Sequence, residues 1–145
     1  MNIYVGMSFE PITFSPITLE QLQNYAAASG DFNQIHLDEE VAKKSGLPGI
    51  IAHGMLISAF ISTRADQAIH QDLELNQFRL VKYQTRFRAM TFLGDTPIVG
   101  GSVKEWSSEE IVLDLQAKNQ RGELIATAIA RFRKKASANL VSFQG

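Results

Sequence analysis

"GMLISAFISTRADQA", residues 54–68, begins apolar on every side, with Met55, Leu56, Ile57, Ala59, Phe60 and Ile61 crowded into two turns. A helix that is apolar all round is a buried helix. The segment turns polar only at Arg64, Asp66 and Gln67, so its first half must be enclosed by other elements. What encloses it has to come from the rest of the chain.

Downstream of Glu74 the hydrophobic period changes to two, the period of a half-buried strand. In "EIVLDLQAKNQ" Ile111, Leu113, Leu115 and Ala117 share one face, and in "LIATAIARFRK" Leu124, Ala126, Ala128, Ala130 and Phe132 do the same. Three alanines in a row on one face let a helix come close to the sheet. "WSSEE" and "NQRGE" have the composition of hairpin turns. "FRLVKYQTRFRAM" and "PIVGGSVKEW" complete about four long strands. Upstream, "TLEQLQNYAAASG" has Thr18 and Gln21 at capping-box spacing, a stripe of Leu19, Leu22 and Ala26, and Gly30 as a stop. A short helix is expected over Asp38–Ser45, acidic at its start and basic at its end in accord with the macrodipole. The sum is an α+β domain: an antiparallel sheet with helices on one face, the buried helix lying in its concave side.

Composition narrows the function. With 145 residues, 45% hydrophobic and 20% charged, the chain can bury one real core. Fourteen Lys+Arg against fifteen Asp+Glu give a net charge of −1, which points away from nucleic acid and anionic membrane as partners. Cysteine is absent, which removes disulfides and thiolate metal sites. The opening "MNIYVGMSFEPITF" lacks a basic n-region followed by an apolar stretch, and "GMLISAFI" is too short to span a bilayer. The expectation is a soluble cytoplasmic domain over residues 1–136, followed by a flexible tail over 137–145.

"SGDFNQIHLDEE", residues 29–40, then poses a question, since it places Asp31, Asn33 and His36 within six positions and has little apolar content to pack. "SGDFNQIH" followed by "IAHGMLIS" resembles the (R)-specific enoyl-CoA hydratases and MaoC-like dehydratases. Their signature is G-D-x-N-P-x-H, with H-G-M about seventeen residues later at the start of a central helix. "TRFRAMTFLGDT" is similar to a later R-F…G-D segment of the same proteins. The resemblance implies a hot-dog fold, a long helix wrapped by a curved antiparallel sheet, normally paired as a dimer. Gln34 departs from the pattern, standing where the family usually has proline. Proline would stiffen the loop, while glutamine adds a backbone N–H and freedom.

The resemblance also implies roles. Hydrating a 2-enoyl thioester requires a water placed at C3, a proton delivered to C2 and a partner for the negative charge on the thioester oxygen. Histidine titrates near neutrality and a neighbouring carboxylate can orient it. By resemblance Asp31 and His36 hold one water, take its proton and return one to C2. The Gly54 N–H, in the first turn of the buried helix, meets the thioester oxygen. Asn33 ties the loop through its amide, and Ser62 orients the water or Asp31. No organic cofactor and no metal is implied. Acyl-CoA or acyl carrier protein thioesters are the implied substrates, and a homodimer the implied assembly, with a hetero-oligomer as the alternative.

Taken singly, these residues have plainer readings. Asp31 can cap the following turn, His36 can be a surface residue, Gly54 a helix-start glycine, Ser62 a packed polar residue and His53 a loop or helix-entry residue. The joint spacing is what points to catalysis. A metal set drawn from Asp31, His36, Asp38 and His53 lacks compact ligand spacing in the sequence. "ARFRKK" reads as a solvated strand end in preference to a phosphate-binding patch. Rival functions are a hot-dog acyl thioesterase, a non-catalytic acyl-binding subunit, and the catalytic subunit of a heterodimeric dehydratase.

Overall fold

A computed structural model describes residues 2–136. The tail expected over 137–145 lies outside the described residues. Strand β1 (Ser8–Thr13) leads to helix α1 (Leu19–Ser29), a single 3₁₀ turn (Gln34–His36), helix α2 (Glu39–Lys44) and helix α3 (Gly54–Gln67). A π turn (Ala68–Asp72) then delivers the chain to β2 (Phe78–Phe87), β3 (Ile98–Trp106), β4 (Glu110–Lys118) and β5 (Leu124–Lys134). The five strands form one sheet in the order β1-β3-β4-β5-β2, antiparallel throughout.

The buried helix is α3. Leu56, Ile57, Ile61 and Ala65 are enclosed, and the helix packs against β3, β4 and β5. Ala126, Ala128 and Ala130 are all buried, and so are Ile111, Leu113, Leu115 and Ala117 across the β4–β5 register. The small alanine side chains on β5 allow the helix its close approach. Both hairpin turns fall where their composition placed them, between β3 and β4 and between β4 and β5.

Two readings need correction. The sheet has a fifth strand, β1, whose sequence "SFEPIT" shows no clean alternation. It is an edge strand with an irregular register between Phe9 and Ile12, around Pro11. An edge with a bulge is where a strand can carry proline, because no ladder bond is lost there. The second correction concerns Arg64, which is not the start of a solvated end. It is 2% exposed. Its Nε and Nη2 donate to the Glu10 carbonyl at 3.2 and 2.8 Å, Nη2 also reaches Asp72 at 2.5 Å, and its guanidinium lies 4.7 Å from the Phe9 ring centroid. Arg64 therefore pins β1 to the end of α3. A buried guanidinium is tolerated because it is paired and stacked.

The segment after β2 supports the entrance to α3. Ile51 pairs with Phe92 in an isolated bridge, Ala52 N–H donates to Thr91 O at 2.8 Å, and Leu93 N–H donates to Ile50 O at 3.2 Å. Asp95, the acid of the "GD" pair, is 4% exposed. It accepts bonds from Phe92 N at 3.0 Å, Gln120 Nε2 at 3.0 Å and the Arg121 guanidinium at 3.1 and 3.3 Å. Burial pushes the Asp95 carboxyl up, but the bonds from Arg121, Phe92 and Gln120 together outweigh it and hold the group below the ordinary aspartate range.

Asp95→Ala should cost about 2 kcal/mol, since it leaves a buried N–H and a charged partner unmatched. That corresponds to a fall of roughly 4–8 °C in Tm. Because the folded-state value is depressed, this contribution is complete above about pH 4, the unfolded aspartate value. It is lost as pH falls through the folded value. Thermal melts of wild type and variant from pH 7 to pH 3 should therefore converge at the acid end, and a gap that stayed constant would show that the charge plays no part.

Candidate active site

Helix α1 ends on Gly30, whose φ of 80° is the left-handed conformation that glycine adopts without strain. This abrupt stop throws Asp31 out of the helix. Asp31 N–H donates to Ser29 Oγ at 3.1 Å, and Asp31 Oδ1 accepts from Asn33 N at 3.2 Å. Asn33 Oδ1 in turn accepts from Ile35 N at 3.2 Å and caps the 3₁₀ turn that carries His36. Gln34 uses its side-chain amide locally, donating to Phe32 O at 3.1 Å. Side chains thus hold this loop in place of the proline that would stiffen it.

The imidazole of His36 is buried, with Nδ1 at 2.8 Å from Ile51 O. A carbonyl only accepts, so Nδ1 carries the proton and Nε2 of the neutral ring carries the free lone pair. That Nε2 lies 3.9 Å from Asp31 Oδ2, too far for a hydrogen bond. The Asp31 side chain is 52% exposed, so the gap between the two groups opens outward.

Gly54 begins α3, and its predecessor His53 supplies no side-chain cap to the helix. The first N–H groups therefore have no intrahelical acceptor. A Cβ built on Gly54 would stand 3.2 Å from the ring of Phe87. The glycine lets that aromatic ring lie directly over the helix start.

The fold brings Asp31 and His36 together, and Gly54 adjoins them through its neighbour His53, which touches both. Ser62 is two turns beyond Gly54, about 12 Å along the axis, and lines a depression with Thr63, Asp66, Gln67, Leu80 and Phe132. The serine drawn into a buried network is Ser58. Its Oγ lies 2.8 Å from Thr85 Oγ1 and 3.2 Å from Tyr83 Oη, while Tyr83 Oη donates to the Ser58 carbonyl at 2.7 Å. This locks α3 to β2 one turn from Gly54. A groove bounded by Phe9, Pro11, Gly100, Gly101 and Asp114 includes none of these residues.

His53 stands at the entry of α3, as its sequence reading has it, and is more than that. It is 2% exposed and stacks on His36, with ring centroids 3.8 Å apart and planes 23° from parallel. Nothing in the linear spacing could show this, because twenty-two residues separate it from Asp31. A potential metal-binding group does exist: ligand atoms of Asp31, His36 and His53 lie within 4.8 Å of one another, while Asp38 instead caps α2. The ring geometry opposes coordination. A zinc ion sits about 2.1 Å from each nitrogen in the plane of its ring, and two nearly parallel planes at this separation cannot share such a point.

Residues 3–128 match the model of the MaoC like domain. The chain belongs to the MaoC-like dehydratase family. It has the family's hot-dog fold. The R-hydratase PhaJ1 of Pseudomonas aeruginosa superposes with a TM-score of 0.78 at 30% identity, covering 93% of this chain and 84% of that one. Fatty acid synthase 2 of Mycosarcoma maydis is 32% identical over 124 residues, 83% of this chain. The 3-hydroxyacyl-thioester dehydratase X of Mycobacterium tuberculosis is 34% identical over 86 residues, 59% of this chain. The MaoC-like chain spans only 3% of the length of the first of these curated relatives and 28% of the second. No helix among the described residues is long and apolar enough to cross a membrane.

Proposed function

We propose that this MaoC-like protein is an (R)-specific enoyl-thioester hydratase, running equally as a (3R)-hydroxyacyl-thioester dehydratase on acyl-CoA or acyl carrier protein substrates. The observation that carries the reading is the Nε2 of His36 facing Asp31 Oδ2 across 3.9 Å while Nδ1 is held by Ile51 O, beside the uncapped start of α3. A gap of that width admits one water at ~2.8 Å from both atoms. His36 Nε2 takes one proton as the water oxygen bonds to C3, and the pair returns a proton to C2. Electron density from the double bond moves onto the thioester oxygen as an enolate, which the Gly54 N–H stabilises. Dehydration is the same path reversed.

Crotonyl-CoA separates this reaction from thioester hydrolysis. The protein should bleach the enoyl absorbance without releasing thiol, because hydration consumes the double bond and leaves the thioester whole. Hydrolysis does the opposite. Thiol release keeping pace with loss of absorbance would establish the thioesterase reading and end this one. The product should be the (3R) isomer, and preference for the (3S) isomer would count equally against it.

The assembly we propose is a homodimer joined along β2. This edge strand has ten residues with no partner on its outer side among the described residues, and Leu80 and Val81 are exposed on it. A long bare edge with exposed apolar groups is a template for a second strand. Light scattering at micromolar concentration should report twice the chain mass, and a stable monomer would remove the proposal.

A further inference from the structure

We propose that His53 is the positioning residue for the Asp31–His36 pair, a role that rests on the hydratase reading above. Its ring meets Tyr25, tilted by 59° at a centroid distance of 4.7 Å, and stacks on His36 at 3.8 Å. Its Nε2 lies 3.1 Å from the main-chain carbonyl of Asp31 and donates to it, since the carbonyl can only accept. The other nitrogen, Nδ1, is buried and has no hydrogen-bond partner among the described residues.

That orphaned atom is the informative one. An apolar ring would fill the same space without leaving a buried lone pair unmatched. An imidazole is favoured here only by what its Nε2–H does, which is to hold the backbone of the residue whose carboxylate faces His36. The stack acts on the other member of the pair. With Nδ1 of His36 held by Ile51 O and one face covered by His53, the ring is kept from turning its Nε2 away from Asp31. His53 is also the residue before Gly54, so one side chain sets the acid, the base and the start of α3 relative to each other. A misplacement of about 1 Å at such a site can cost on the order of 10²-fold in rate.

Two variants divide the role into its parts. His53→Phe keeps a ring for the stack and removes the N–H, whereas His53→Gln places an amide N–H within reach of the Asp31 carbonyl and removes the ring. On crotonyl-CoA, His53→Phe should lower kcat roughly 10–100-fold with KM changed less than about threefold. His53→Gln should recover several-fold of that loss. In His53→Phe the Asn33 and Ile35 amides, which depend on the Asp31 turn, should exchange with solvent about tenfold faster. In His53→Gln they should stay near wild type. Nitrogen-15 spectra of the wild type should show His53 as the Nε2–H tautomer. A Phe variant with wild-type kcat and exchange, equal losses in Phe and Gln, or an Nδ1–H tautomer at His53 would each overturn the proposal. If the wild type hydrates no enoyl thioester, the reaction assignment falls instead. The exchange and tautomer measurements need no substrate and still decide whether His53 holds the Asp31 loop.

Discussion

Asp31→Asn and His36→Ala should each lower hydration of crotonyl-CoA by roughly 10²–10⁴-fold, the contribution of a positioned general base. The two variants should differ in stability. Asparagine at 31 keeps an oxygen able to accept the Asn33 N–H, so the loop turn survives and the melting temperature should stay at wild type. A surface residue of a polar loop, the plainer reading of His36 in the sequence, would be equally harmless to remove. The structure corrects this, since His36 is 8% exposed, bonded to Ile51 O and stacked on His53. Its removal should cost about 1–2 kcal/mol for the lost bond and packing, or roughly 2–8 °C in Tm. Circular dichroism with initial rates checks both. A variant keeping a tenth or more of wild-type turnover would have its residue wrongly assigned. The double variant should be little slower than either single one, because the two groups act on one water.

Gly54→Val should lower kcat roughly 10²–10³-fold, the worth of one oxyanion donor. Valine in the first helical turn costs only a few tenths of a kcal/mol in propensity. The larger consequence is steric. Its Cβ would meet the Phe87 ring at 3.2–3.5 Å, and the two methyls would need still more room. Phe87 is 49% exposed, so the ring can swing outward and the fold should tolerate the change. What does not recover is the approach of a thioester oxygen to the N–H, now flanked by methyls and a displaced ring. Gly54→Ala should fall between wild type and valine. If valine retained wild-type kcat with an intact melt, the oxyanion donor would have to be sought elsewhere.

The sequence by itself determined the elements whose physics is local. Thr18 caps α1 through its hydroxyl because the cap needs only a residue three positions on. Asp38 caps α2 in the same way, and the β4–β5 hairpin follows from period-two faces and a turn containing Gly122. The burial of one face of α3 was legible in Leu56, Ile57 and Ile61, but Met55 is 64% exposed and Ala59 is exposed too, so the single chain does not enclose the helix on every side. The approach of Asp31 to His36 was legible too, as near neighbours in one loop, together with Gly54 at the start of the helix.

Other features depended on partners far away in the chain, and only the tertiary structure decided them. β1 is a strand because β3 lies beside it, not because "SFEPIT" prefers to be one. Arg64 is buried because Glu10 O, Asp72 and the Phe9 ring meet it, and a single charged letter in a helix gives no sign of such partners. Ser62 shares a helix with Gly54, but the helical rise carries it away from the pair and leaves Ser58 to bond β2. His53 became part of the site only when α1, the 3₁₀ turn and the start of α3 converged on one imidazole. Local preferences are written in spacing along the chain. Packing against residues dozens of positions away is written in the sum of the contacts, and that sum exists only once the fold has formed.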